Sequence, residues 1–187
     1  PTVVGTDNND VIRGTNADDI IYGKKGSDNI KDYSGNDTYY FEIRDGQDII
    51  TDNAGFDRIL FGPGIMLSDL KFIKNSNNSL SIAFKNTNDK VSIINWFSNS
   101  RYIIENIEFN DGSFITYADI NRIIQQMSSF GVNEGMYLTQ GYNPSLEPLV
   151  TLVNTQVQWY IKLIQVVNIE KPYGDFKIVL PWAEILW

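Results

Sequence analysis

Aspartate recurs every nine residues near the start of this chain, at Asp10, Asp19, Asp28 and Asp37. Each is followed two positions later by an apolar residue: Ile12, Ile21, Ile30 and Tyr39. The windows GTDNNDVIR, GTNADDIIY, GKKGSDNIK and DYSGNDTYY share the frame Gly-x-x-Gly-x-Asp-x-apolar-x, with several glycines replaced. A period of nine is too short for a helical hairpin. It accommodates a six-residue turn and a three-residue strand with one inward side chain, because strand side chains alternate faces. Two units complete one coil, and repetition makes the coils stack. Ordinary turns between hairpins also use Gly, Asn and Asp. Their strands and loops vary in length, so four equal spacings with the apolar residue at a constant offset favour the stacked coil.

Parallel rungs lie roughly 4.7 to 4.9 Å apart, which places Asp10 over Asp28 on one edge and Asp19 over Asp37 on the other. Carboxylates about 5 Å apart at an effective dielectric near 20 repel by roughly 3 kcal/mol. One small inward side chain does not offset that, so the ladder calls for a bound cation. Calcium bonds oxygen at about 2.3 to 2.6 Å, and twice that distance is close to one rung spacing. Magnesium, at about 2.0 to 2.1 Å with a strict octahedron, fits less well. The chain has no His and no Cys, which removes the ligands preferred by zinc, copper and iron–sulfur sites. Several Ca2+ ions bridging successive coils are therefore expected.

After a two-residue insertion the register continues as Gly46-Gln47-Asp48-Ile49-Ile50 and Gly55-Phe56-Asp57-Arg58-Ile59, for six loops in all. These windows resemble the nonapeptide repeats of the RTX, or haemolysin-type calcium-binding, family. The resemblance implies a parallel β-roll. In it an ion takes first- and third-position carbonyls and the Asp of one loop, with second- and fourth-position carbonyls and the Asp of the loop two repeats on. Carried over by position, one edge would use Gly14, Asn16 and Asp19 with Tyr33, Gly35 and Asp37, and then Asp32, Ser34 and Asp37 with Asn53, Gly55 and Asp57. The other would use Gly5, Asp7 and Asp10 with Lys24, Gly26 and Asp28, and then Gly23, Lys25 and Asp28 with Asp48. Gly26 and Gly35 fill the fourth position, where a positive φ favours glycine. Asn8 and Ala17 stand there in the first two repeats, which are expected to be the weaker sites.

Charge follows the repeats. Residues 1–57 hold twelve acidic and five basic side chains, a net of −7, whereas residues 58–187 hold eleven and ten, a net of −1. Bound cations would compensate that excess. Without them, a segment of this charge with few large apolar residues should be disordered, so that binding and folding are coupled. No basic stripe exists for nucleic acid. The absence of cysteine fits a protein that leaves the cell without relying on disulfides, although many cytosolic proteins also lack them. No transmembrane segment is expected, because no uninterrupted apolar run reaches membrane-spanning length; Leu149 to Ile169 contains Asn154, Gln156, Gln158, Lys162 and Gln165. There is no cleavable N-terminal signal, and the segment from Pro1 reads as a fragment of a longer chain.

From Leu70 the pattern changes to longer alternating runs, LKFIK, SLSIAF, KVSIINWF and IENIEF, separated by Asn, Ser, Asp and Gly clusters. These are antiparallel strand signals. Asn110-Asp111-Gly112-Ser113 predicts a hairpin turn, and Ile120, Ile123, Ile124 and Met127 predict a helix over about residues 117–130. The run from GNDTYYF at Gly35 to IEFNDG at Ile107 is similar to the companion region that follows the repeats in haemolysin-related proteins. A stacked coil has an open sheet edge and an apolar end, and a polar-faced cap would protect both. Trp96 and Phe97 read as cap packing in preference to a ligand-stacking platform, because apolar residues surround them. The expected fold is thus mostly β: a parallel β-roll over residues 1–61, a β-rich cap with one α-helix over 62–130, and a C-terminal tail over 131–187. Alternation at Val157, Trp159, Ile161 and Leu163, and at Phe176, Ile178 and Leu180, reads as extra cap strands; an export-signal or partner-binding element is the other reading of the tail.

The resemblance implies a non-enzymatic calcium-binding module at the C-terminal end of a secreted bacterial RTX protein, extracellular or at the cell surface. It would pass through a type I secretion channel, fold on meeting calcium outside, and support an upstream effector domain. A second reading makes it a calcium-stabilised adhesin or carbohydrate-binding module using Tyr22, Tyr40, Trp159 or Trp182; single exposed aromatics more often have no such role. A hydrolase is disfavoured: no nucleophile elbow or metalloprotease helix appears, and Glu105 with Glu108 reads as a solvated face.

Overall fold

The computed structural model describes residues 1–129, 137–138 and 152–153. Its first half is a two-sided coil. Strands β1 (Thr2–Val4), β3 (Ile20–Tyr22), β5 (Thr38–Phe41) and β7 (Arg58–Phe61) pair in parallel on one side. Strands β2 (Val11–Arg13), β4 (Asn29–Lys31) and β6 (Gln47–Thr51) pair in parallel on the other. Register is set by the inward side chain. Ile12, Ile30 and Ile50 stack in one column and Ile21, Tyr39 and Ile59 in the facing one. All six are buried, each contributing about 1.5 to 3 kcal/mol of apolar burial. In β2 the neighbours Val11 and Arg13 face water, so a slip of one residue would turn the core outward.

The cap is woven into both sheets. Strands β8 (Leu70–Lys74), β9 (Leu80–Phe84) and β10 (Lys90–Ile93) form an antiparallel meander, and β10 then pairs in parallel with β6. On the facing side, β11 (Asn106–Glu108) pairs in parallel with β7 and antiparallel with β12 (Phe114–Thr116). The antiparallel expectation therefore holds within the cap and fails where it meets the roll. There β10 and β11 add themselves as further parallel rungs and cover both open edges. Gly112, at φ 84°, forms the turn of the β11–β12 hairpin, and helix α1 (Tyr117–Ser129) follows directly.

The run INWF is not strand. Residues 94–97 turn, with Asn95 at φ 62°, which swings Trp96 into the core. Its Nε1 donates to Asn121 Oδ1 of α1 at 2.9 Å, and Phe97 packs edge-on against it at 6.5 Å. Both are packing residues, as the sequence suggested. Two short strands, β13 (Tyr137–Leu138) and β14 (Leu152–Val153), extend the sheet beyond β8. The alternating runs at 157–163 and 176–180 lie outside the described residues.

Candidate metal centre

Each nine-residue turn ends on its aspartate at the point where the strand begins, and those aspartates form two ladders. On one edge Asp10 N donates to Asp28 Oδ1 and Asp28 N to Asp48 Oδ1, both at 2.8 Å. On the other, Asp19 N donates to Asp37 Oδ1 at 2.7 Å and Asp37 N to Asp57 Oδ1 at 2.8 Å. One carboxylate oxygen thus serves the rung before it. The second does not: Asp28 Oδ2, Asp37 Oδ2 and Asp57 Oδ2 are buried without a hydrogen-bond partner. Stranded buried carboxylate oxygens cost on the order of 1 to 3 kcal/mol each or more, and a cation is what such oxygens can bind.

The edges differ. On the second edge, ligand atoms of Asp19, Asp32 and Asp37 lie within 4.8 Å of one another, and so do those of Asp37, Asp52 and Asp57. Two oxygens on one calcium can be at most about twice 2.3 to 2.6 Å apart, so each cluster fits within a single ion's shell. Asp32 stands in the series as a first-position carbonyl, yet its carboxylate is buried in the cluster. Tyr33 N donates to Asp32 Oδ1 at 2.9 Å, and the buried Tyr39 hydroxyl reaches Oδ2 at 3.5 Å. Burial and the surrounding carboxylates keep that phenol protonated. Gly14 lies directly above, and a Cβ there would collide with the Asp32 carboxylate. Asp52 is absent from the ligand series read by repeat position and is fully buried. The signal for it was its place twenty residues after Asp32, one coil further on.

The other turn positions pack against the neighbouring coil. Fourth-position carbonyls point at the next coil: a Cβ on Gly26 would lie 2.6 Å from Asn8 O, and one on Gly35 would lie 2.8 Å from Ala17 O. Gly55 sits in the same way against Gly35 O; at the first position the contact runs the other way, a Cβ on Gly5 lying 2.5 Å from Gly23 O. Gly26 and Gly35 have φ of 137° and 142°, as expected. Asn8 and Ala17 do not enter the positive-φ region, because the first two turns are built differently. Asn8 N and Ala17 N donate to the hydroxyls of Thr6 and Thr15 at 3.2 and 3.1 Å, and those threonines donate to Asp10 and Asp19 at 2.9 Å. The replaced glycines therefore carry no strain.

Lys24 takes the left-handed conformation at φ 67°, and Lys25 lies 3.6 Å from the exposed Asp7. Ser34 Oγ contacts Asn16 Oδ1 at 3.4 Å, and Asn53 is half-buried beside Asp52. A ladder missed by sequence reasoning runs outside the aspartates through the fifth positions. Ser27 N donates to Asn9 Oδ1, Asn36 N to Asp18 Oδ1 and Phe56 N to Asn36 Oδ1, at 2.8 to 2.9 Å. The cap closes both edges with carboxylates. Glu105 Oε2 accepts from Asp57 N at 2.8 Å, so it ends a ladder and does not lie on a solvated face. Asp89 accepts from Arg44 N at 2.7 Å and Gly46 N at 3.2 Å. Tyr22 and Tyr40 pack against one another at 5.0 Å with their rings tilted by 49°, and Tyr40 Oη donates to Glu42 at 2.9 Å; both line a surface pocket with Lys24, Lys25 and Asp45. Trp159 and Trp182 lie outside the described residues.

Burial, reinforced by neighbouring carboxylates, raises Asp32 and Asp48 to about 7 and moves Asp28, Asp37, Asp57 and Glu105 in the same direction. Without metal, the folded roll then holds more protons than the unfolded chain from about the ordinary value of 3.8 up to 7, and beyond that through Asp57, raised to about 9. Metal-free stability falls as pH rises through that window. Calcium must displace those protons, so its affinity is expected to rise between about pH 5 and 8, with proton release. Calorimetry in buffers of different ionisation enthalpy checks this; proton uptake on binding would contradict it.

A coil of nonapeptide turns with facing β-sheets and buried aspartate ladders at both rims is a parallel β-roll of the calcium-binding kind. Residues 2–30 and 13–42 match the RTX calcium-binding nonapeptide repeat (4 copies), and residues 79–119 match the haemolysin-type calcium binding protein related domain. The chain thus carries RTX repeats, which bind Ca2+, followed by that companion domain. No curated protein matches the chain. Both matching families are calcium-binding and not enzymatic. No helix among the described residues is long and apolar enough to cross a membrane.

Proposed function

We propose that this chain is a non-enzymatic, calcium-dependent folding module of a secreted bacterial RTX protein, with residues 1–61 as the roll and 62–130 as its cap. The observation that carries the reading is the run of buried aspartates whose second oxygens have no partner in the protein. In a calcium-poor cytosol the repeats stay extended and fit a type I secretion channel. Outside, at millimolar calcium, sites with dissociation constants of about 10⁻⁴ to 10⁻³ M fill, and folding retains the chain outside and nucleates an upstream effector domain. The ligand sets are those implied by repeat position, two loops sharing each ion. The two carboxylate clusters among the described residues support a reading of at least two ions per chain. Calcium titration by calorimetry is expected to show saturable binding of at least that many ions. A flat titration at millimolar calcium would overturn the proposal.

A further inference from the structure

The repeat frame assigns the first position of each turn a backbone carbonyl only, since glycine stands there. On the edge carrying Asp10, Asp28 and Asp48 the first positions are Gly5, Gly23 and Ile43, and none offers a side-chain oxygen. On the opposite edge they are Gly14, Asp32 and Asp52. Asp52 is 0% exposed, and neither of its carboxylate oxygens has a hydrogen-bond partner. A buried polar side chain left wholly unpaired is rare in folded proteins. Here it lies with Asp37 and Asp57, ligand atoms within 4.8 Å of one another.

Resting on the calcium reading above, we propose that the side chains of Asp52 and Asp32 are themselves calcium ligands. The edge they share then holds three-carboxylate sites, and the other edge two-carboxylate sites. Charge count and site rigidity tune calcium affinity over many decades, so the three-carboxylate edge fills first as calcium rises. The site of Asp37, Asp52 and Asp57 is also the one nearest the cap, because Asp57 N donates to Glu105 at 2.8 Å. Filling it steadies the rung on which β11 rests.

The test is Asp52→Asn, which keeps the shape and removes the charge, compared with the intact chain by calcium titration followed by calorimetry and circular dichroism. The variant is expected to reach the same folded spectrum at saturating calcium. Its tightest step should weaken at least the roughly tenfold that even an outer-shell partner of a metal site is worth. Asp32→Asn should behave alike. Overlapping titration curves for Asp52→Asn and the intact chain would overturn the inference while leaving the calcium module standing. Failure of both variants to fold at saturating calcium would overturn it too, by assigning these carboxylates to the fold and not to the ion. No calcium response in the intact chain would instead remove the underlying reading.

Discussion

In chelator at about pH 8, the chain is expected to lose most of the sheet that it shows in millimolar calcium. Four stacked aspartate pairs, Asp10 with Asp28, Asp28 with Asp48, Asp19 with Asp37 and Asp37 with Asp57, stand one rung apart along the two edges. At roughly 3 kcal/mol per pair, their repulsion is comparable with the whole net stability of about 5 to 15 kcal/mol for a domain. The inward side chains of the roll are one per strand in β2, β3 and β4, too few to absorb that penalty. Acid should partly replace the metal, since the carboxylates raised to about 7, Asp32 and Asp48, are protonated at about pH 5. Magnesium should restore far less, because its shorter bonds do not span two rungs. Far-ultraviolet circular dichroism reads all of these conditions. Equal sheet content in chelator and in calcium at pH 8 would sink the account.

Asp37→Ala is expected to be the most damaging single substitution in the roll. Asp37 belongs to both carboxylate clusters, and it is the middle rung of its ladder, donating to Asp57 and accepting from Asp19. A site with a dissociation constant tenfold below the free calcium concentration stabilises by about 1.4 kcal/mol, so losing two such sites removes about 3 kcal/mol. Asp10→Ala makes the contrast: Asp10 is half-exposed and begins the opposite ladder, with only one rung beyond it in contact. Calcium-dependent melting of the two variants should therefore separate widely, with Asp37→Ala folding only at much higher calcium or not at all. Similar midpoints would show that the rungs act independently and that no ion is shared across them.

The roll was legible because every determinant of it is local. The nine-residue spacing, the inward residue at the eighth position and the aspartate at the sixth each repeat within one turn, and stacking copies needs nothing more than that repetition. Ile12, Ile21, Ile30 and Tyr39 are all buried where the period placed them. Departures from the frame were harder to read. The first two turns manage without glycine through Thr6 and Thr15, a side-chain route to a turn that a glycine-based frame does not contain. Asp52 is missing from the ligand series because first-position side chains have no role in the repeat frame, and only stacking on Asp32 reveals its burial.

Period, charge and the lack of His and Cys were enough to define a coil, its inward face and the kind of ion its rims require. They did not define how the coil is closed. A strand's alternation reads the same whether its neighbour runs parallel or antiparallel, so KVSI and NIE gave no sign that they would join β6 and β7 as parallel rungs. Nor did any spacing show that Glu105, 48 residues after Asp57, would end its ladder. Those contacts join positions far apart in the chain, and they exist because the last coil leaves backbone groups open that the cap alone is placed to pair.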